Sequence, residues 1–248
     1  MLETGAIAGH LHRHLVEQSR RCAVEDVRIG GSYVAVVLTG GRIGLAARLK
    51  EAVGAEIEPS RASERISGRP ADTLLDRLVS GTGAVERALG LATANALIHP
   101  PAPAAEEDAI SLMGLRAGER VAMVGLFRPI VSRIEATGVI LSVIERDTSE
   151  KERIQVLGAC DVAIITATTL LNGTLEGILS ELGRPRHVAL IGPSTPLCEE
   201  IFRGSPVTHL GGSAIVDAAG LLRVVSEGGG TPDMRPCLRF VNTRVHRS

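Results

Sequence analysis

Apolar residues at Ile7, Leu11 and Leu15 recur at i, i+4 and i+8 within residues 2–20, and this spacing predicts an amphipathic helix. The period then shortens. Runs rich in β-branched residues at 24–29 and 33–38 are separated by Gly30-Gly31, and a third run at 43–46 follows Gly40-Gly41. Paired glycines supply the positive φ angles of tight turns, so the pattern predicts an antiparallel meander. Residues 71–79 and 85–98 return to helical spacing, which makes this first unit α+β.

Residues 99–107 carry Pro100, Pro101 and Pro103, which remove backbone donors and fix φ, so no helix continues through them. The expected organisation is a domain over 1–99, a proline-rich linker over 100–107 and a second domain over 108–248, with few core contacts between the two. In the second domain apolar runs recur at 121–124, 139–144, 162–165, 188–191 and 207–210. The stretches between them are long enough for helices, as parallel crossovers require. Pro129 stands where the first residue of a helix tolerates proline, and Gly138 where a helix stops.

Composition narrows the function. Aromatic residues are 2% of the 248-residue chain (Tyr33, Phe127, Phe202 and Phe240), so the core is aliphatic and there are few platforms for stacking bases. A net charge of -1 provides no basic field for a phosphate backbone, and nucleic acid is excluded as an expected partner. Cys22, Cys160, Cys198 and Cys237 form no CxxC pair, which argues against a zinc knuckle and a disulfide scaffold and for a reducing cytoplasm. No apolar run approaches the 18 residues of a membrane span, so the expectation is a soluble, unprocessed protein with no membrane partner.

Ligands of open parallel sheets bind beyond the C-terminal ends of the strands. There the sequence places Gly125, Phe127 and Arg128, then Glu145 and Asp147, then Thr166, Asn172 and Thr174, then Gly192 and Ser194, and finally Gly211-Gly212-Ser213. Hydroxyls, amides and glycine N–H groups of this kind bind oxygen-rich ligands. Glu145 follows Gly125 by twenty positions, as the ribose-binding acid does in dinucleotide sites, but residues 126–130 hold none of the glycines that the pyrophosphate needs. Lys50 and Lys151, the chain's two lysines, follow Leu49 and Glu150, which excludes a Walker loop and leaves little scope for a Schiff base. Ser194 has Gly192 before it but Pro196 after it, an incomplete nucleophile elbow. His10 and His14 share a helix face with Glu17 one turn on, a spacing that can ligate a metal, but with alternating His and Arg and no HExxH glutamate the flank reads as solvated. His99, His187, His209 and His246 are scattered and read as structural, and Arg235, Arg239, Arg244 and Arg247 as a solvated basic tail.

Residues 24–30, Gly44-Leu45-Ala46 and 88–97, followed by Val124-Gly125-Leu126-Phe127, 161–166, 171–175 and Gly192-Pro193-Ser194, together resemble the heavy-metal-chelation family over nearly the whole chain. The resemblance implies an enolase-N-terminal-like α+β domain followed by a Rossmann-like parallel-sheet domain, an α/β protein with its site in the cleft between them. On the first domain it adds Asn95 to the candidates. The expected function is a cytoplasmic binding protein for a small molecule, a metal complex, or a divalent or heavy metal ion. In this reading Arg128 offsets anionic charge, and Glu145 and Asp147 hold hydroxyls or a cation. Convergence of Cys160 and Cys198 on a soft metal, and homo-oligomerisation, are left open. The alternative is an enzyme using a nucleotide-type cofactor in the second domain.

Overall fold

The computed structural model describes residues 3–50, 66–98 and 109–246. The expected linker at 100–107 lies outside the described residues. Helix α1 (Ala6–Ser19) buries Ile7, Leu11 and Leu15, the stripe that its spacing dictates. Strands β1 (Val24–Ile29), β2 (Tyr33–Leu38) and β3 (Arg42–Ala47) form an antiparallel sheet in that order. Every residue of β2, the central strand, is buried. Two short helices, α2 (Asp72–Leu75) and α3 (Arg77–Ser80), replace the single helix expected at 71–79. Helix α4 (Ala84–Leu97) crosses β3 so closely that a Cβ at Gly44 would overlap the Ala92 carbonyl oxygen and the Ala96 nitrogen. Glycine at 44 therefore sets how near Asn95 comes to the sheet.

A short helix α5 (Ala109–Met113) leads into the second sheet, whose order is β5-β4-β6-β7-β8-β9. Strands β4 (Arg120–Val124), β5 (Ile140–Ile144), β6 (Val162–Thr166), β7 (His187–Ile191) and β8 (His209–Ile215) are parallel. Helix α6 (Arg128–Glu135) joins β4 to β5 and carries Pro129 in its first turn, while Gly138 beyond it has φ +78°. Helix α7 (Glu150–Ala159) joins β5 to β6, and α8 (Thr168–Asn172) with α9 (Leu175–Glu181) joins β6 to β7. After β8 come α10 (Ala218–Ser226) and α11 (Thr231–Met234).

Two expectations change here. The basic tail is no free end: Arg239 and Arg244 lie on an antiparallel edge strand, β9 (Leu238–Arg244), whose pairing with β8 satisfies a ladder of backbone groups, while the Arg235, Arg239 and Arg244 side chains are exposed as expected and Arg247 lies outside the described residues. Gly211, Gly212 and Ser213 lie inside β8, opposite Asn242, Val241 and Phe240, and not in a loop beyond it.

The core does not divide at the linker. One cluster joins Leu11, Leu38, Leu89 and Leu97 of the first part to Leu171, Ile178, Phe202 and Leu210 of the second. Another joins Tyr33, Ala35 and Leu45 to Leu221, Val225 and Met234. Polar ties follow the same seam. Ile7 N, at the start of α1, donates to Glu176 Oε1 at 3.0 Å, and Tyr33 Oη lies 2.6 Å from Thr231 Oγ1. The expectation of few core contacts between the parts is therefore reversed, since apolar faces on both are buried against each other.

Candidate functional site

The segment after β7 is where the two parts meet through polar groups. Ser194, 2% exposed, accepts a hydrogen bond on Oγ from Ala47 N at 2.7 Å. Asn95 Nδ2 donates both to Leu45 O at 2.8 Å and to Ser194 O at 3.0 Å. One amide side chain on α4 thus ties β3 of the first sheet to the loop of the second. Gly192, with φ +133°, starts that loop, donating from N to Gly211 O and accepting from Thr195 N.

Above this junction is a cavity of about 60 Å³ lined from both parts, by Ile43, Leu45, Asn95 and Ile98 on one side and Pro193, Thr195, Leu197 and Ser213 on the other. Two of its lining atoms have no partner among the described residues. Asn95 Nδ2 is committed to two carbonyls, so its Oδ1 is left as a bare acceptor, and Thr195 Oγ1 is also unpaired. Thr195 is 3% exposed, and an unpaired hydroxyl buried to that degree costs about 1–3 kcal/mol unless something bonds to it. Ser213 Oγ is satisfied by Pro193 O at 3.1 Å. Among the described residues no charged side chain lines the cavity, and those that do offer neutral donors and acceptors.

The other candidates stand elsewhere. Gly125 (φ +82°) sits at the switch point between β4 and β6, where a Cβ would come within 2.9 Å of Thr166 Cγ2. Thr166 Oγ1 turns to Thr168 Oγ1 at 3.0 Å. Phe127 begins α6 and packs on a cluster around Val121, Met123 and Ile134, while Arg128, Glu145 and Asp147 are exposed. Asn172 Oδ1 accepts from Thr174 N at 3.1 Å and Thr174 Oγ1 at 2.7 Å, a closed local turn on an exposed loop. None of these residues lines the cavity. The structure thus gathers Asn95, Gly192, Ser194 and Ser213 from the sequence candidates and adds Thr195, whose signal was its place in the same polar stretch as Ser194.

Cys160 and Cys198 do not converge. Cys160 precedes β6 and Cys198 follows β7, so parallel strands place them at opposite ends of the sheet. Cys160 Sγ donates to Leu157 O at 3.3 Å, and burial pushes its thiol up to about 11. Cys198 Sγ donates to Glu200 Oε2 at 3.3 Å, and burial, with the neighbouring carboxylate, likewise raises it to about 11. Nor do His10, His14 and Glu17 group as ligands. Among the described residues, the one cluster of three with metal-binding geometry is His14, Cys198 and Glu200.

Fold and cavity together define a two-part α/β protein with a small polar pocket where its parts join. The chain belongs to the family described as "Putative heavy-metal chelation" (DUF364), whose model matches residues 108–244; a second model of the same description (DUF4213) matches residues 12–98. Solved structures of two proteins of unknown function from the DUF364 family share this fold. The one from Desulfitobacterium hafniense DCB-2 is 20% identical, with 97% of this chain and 98% of that one covered at a TM-score of 0.81. The one from Pyrococcus horikoshii is 21% identical, covering 96% and 100% at 0.82. An uncharacterized protein of Methanocaldococcus jannaschii is 30% identical over 145 residues, which is 54% of this chain and 56% of that protein. The match therefore spans little more than half of that relative's length.

Proposed function

We propose that this chain is a cytoplasmic binding protein for a small polar ligand, a chelator or metal complex in keeping with the family's description, held by neutral hydrogen bonds where the two parts join. The observation that carries this reading is the pair of unpartnered buried atoms, Asn95 Oδ1 and Thr195 Oγ1, bordering one cavity. A ligand hydroxyl or amide N–H reaching Asn95 Oδ1, with a second polar atom at Thr195, supplies both missing bonds. The cavity admits only a few heavy atoms, so it takes one polar end of a ligand. Asn95 answers to both sheets, so ligand contact there bears on how the parts are held together. Four free, buried cysteines fit a reducing compartment, and among the described residues no helix is long and apolar enough to cross a membrane. The nucleotide-cofactor alternative needs phosphates to approach the backbone after β4, where residues 126–130 hold no glycine.

The test is mass spectrometry of small molecules released on denaturing protein purified without added ligand, beside a thermal-shift panel of polyols, amides and metal chelates. Wild type is expected to carry or respond to one member, and Thr195→Val, which keeps the shape and removes the hydroxyl, to lose it. Equal behaviour of wild type and Thr195→Val across the panel overturns the reading.

A further inference from the structure

Beside the junction cavity, and sharing Ile98 and Leu197 with it, lies a second, more open cavity of about 200 Å³. Its rim holds three side chains of metal-ligating type. His14 comes from α1, at the edge of its buried stripe next to Leu15; Cys198 stands just before the 3-10 turn Glu199–Phe202 that follows β7, and Glu200 lies within that turn. One imidazole nitrogen, one sulfur and one carboxylate oxygen lie within 4.8 Å of one another. We propose that His14, Cys198 and Glu200 bind a divalent metal ion of the zinc and cadmium class, with a fourth position open toward the cavity.

The donors select that class. Calcium asks for about six to eight oxygens, and magnesium for an octahedron of oxygens and waters; one carboxylate cannot supply either. A thiolate with an imidazole and a carboxylate suits a borderline or soft ion, whose bonds to N, O and S run about 2.0–2.3 Å in a tetrahedron. Ligand atoms around such an ion stand about 3–4 Å apart, so the donors must draw in by about an ångström. His14 and Glu200 are exposed and have the rotamer freedom to do so, while Cys198 is buried and held by its bond to Glu200. On binding, the Cys198 S–H bond breaks, a sulfur–metal bond forms, and the proton passes to water. Glu200 then exchanges its accepted hydrogen bond for a bond to the ion.

Three protein ligands leave one coordination site for water or for a donor atom of a second molecule, the arrangement of open rather than closed zinc sites. Because His14 belongs to one part of the chain and Cys198 and Glu200 to the other, the ion would bridge the same seam that Asn95 ties. The site stands independently of the neighbouring cavity, since no ligand atom is shared.

The experiment uses the full chain, stripped with a chelator and titrated by calorimetry with zinc and cadmium, with cadmium–thiolate absorption in the ultraviolet as a second readout. One ion per chain is expected. His14→Gln and Cys198→Ser should each lower affinity at least about tenfold, since even indirect supports of a metal site are worth that much. The thiolate band should vanish in Cys198→Ser, and His10→Gln should bind as wild type does. Should Cys198→Ser not fold, His14→Gln, at an exposed side chain, decides by itself. Absence of stoichiometric binding, an unchanged affinity in His14→Gln, or an equal loss in His10→Gln overturns the proposal.

Discussion

The two ends of the parallel sheet both bury polar atoms that have no partner among the described residues, and they differ in what surrounds those atoms. Where the strands finish, Asn95 Oδ1 and Thr195 Oγ1 border a cavity. Where β7 and β8 begin, His187 Nδ1 and His209 Nε2 border neither cavity, and their rings pack edge to face with centroids 4.7 Å apart. Thr208 Oγ1 holds His209 Nδ1 at 2.8 Å, which leaves Nε2 buried without a partner among the described residues. An unpaired acceptor with room beside it is a binding group. The same acceptor without room can only take up a proton, and burial opposes that.

The largest effect tests whether the two ends belong to one cooperative unit. The chain runs from the end of β7 to the start of β8 through Phe202, which is fully buried in the cluster shared by both parts. Phe202→Ala should cost about 3–5 kcal/mol and shift a single unfolding transition by about 10 °C. Calorimetry showing two steps, with only one displaced, would break the picture of a shared core.

Acid comes next. Burial, followed by the charges of His187, Arg244 and Arg186, lowers His209 to about 4, and His187 is lowered chiefly by burial as well. The folded state keeps His209 neutral, whereas the unfolded chain takes up its proton near pH 6.5. Stability is therefore complete above about pH 6.5 and falls as the pH drops toward 4, by roughly 3 kcal/mol from His209 alone. Urea melts at pH 7, 6 and 5 should show this slope, and His209→Gln, which cannot titrate, should flatten it. An equal slope in the variant would mean that the burden lies on other groups.

The difference between the two ends also marks what the sequence could reveal. Helical spacing at Ile7, Leu11 and Leu15 and the glycine pairs around β2 expose their elements because the cause is local. The polar loops were legible as a set, and Asn95, Gly192 and Ser194 among them do meet. Which loop is covered was not legible, because that depends on β3 and α4 docking from more than ninety residues away, as in the Asn95–Ser194 bond separated by 99 positions. For the same reason His14 read as a partner of His10 on its own helix, when its nearby donors come from Cys198 and Glu200. His187 and His209 read as unremarkable single histidines because a stacking pair across two strands has no spacing to betray it.

The smallest effect separates two asparagines that the sequence presents as equals. Asn95→Ala removes the donor to Leu45 O and Ser194 O and the bare acceptor beside the cavity. Two part-buried carbonyls lose a partner, which should cost about 1–2 kcal/mol, and ligand retention should fall with it. Asn172→Ala loses only its turn bonds to Thr174 on an exposed loop, so about 0.5 kcal/mol and unchanged retention are expected. Paired melting curves and the mass of the released ligand read both quantities on the same samples. If Asn172→Ala releases the ligand while Asn95→Ala keeps it, the binding end of the sheet lies at the loop after β6, and the cavity at the junction is only a flaw in packing.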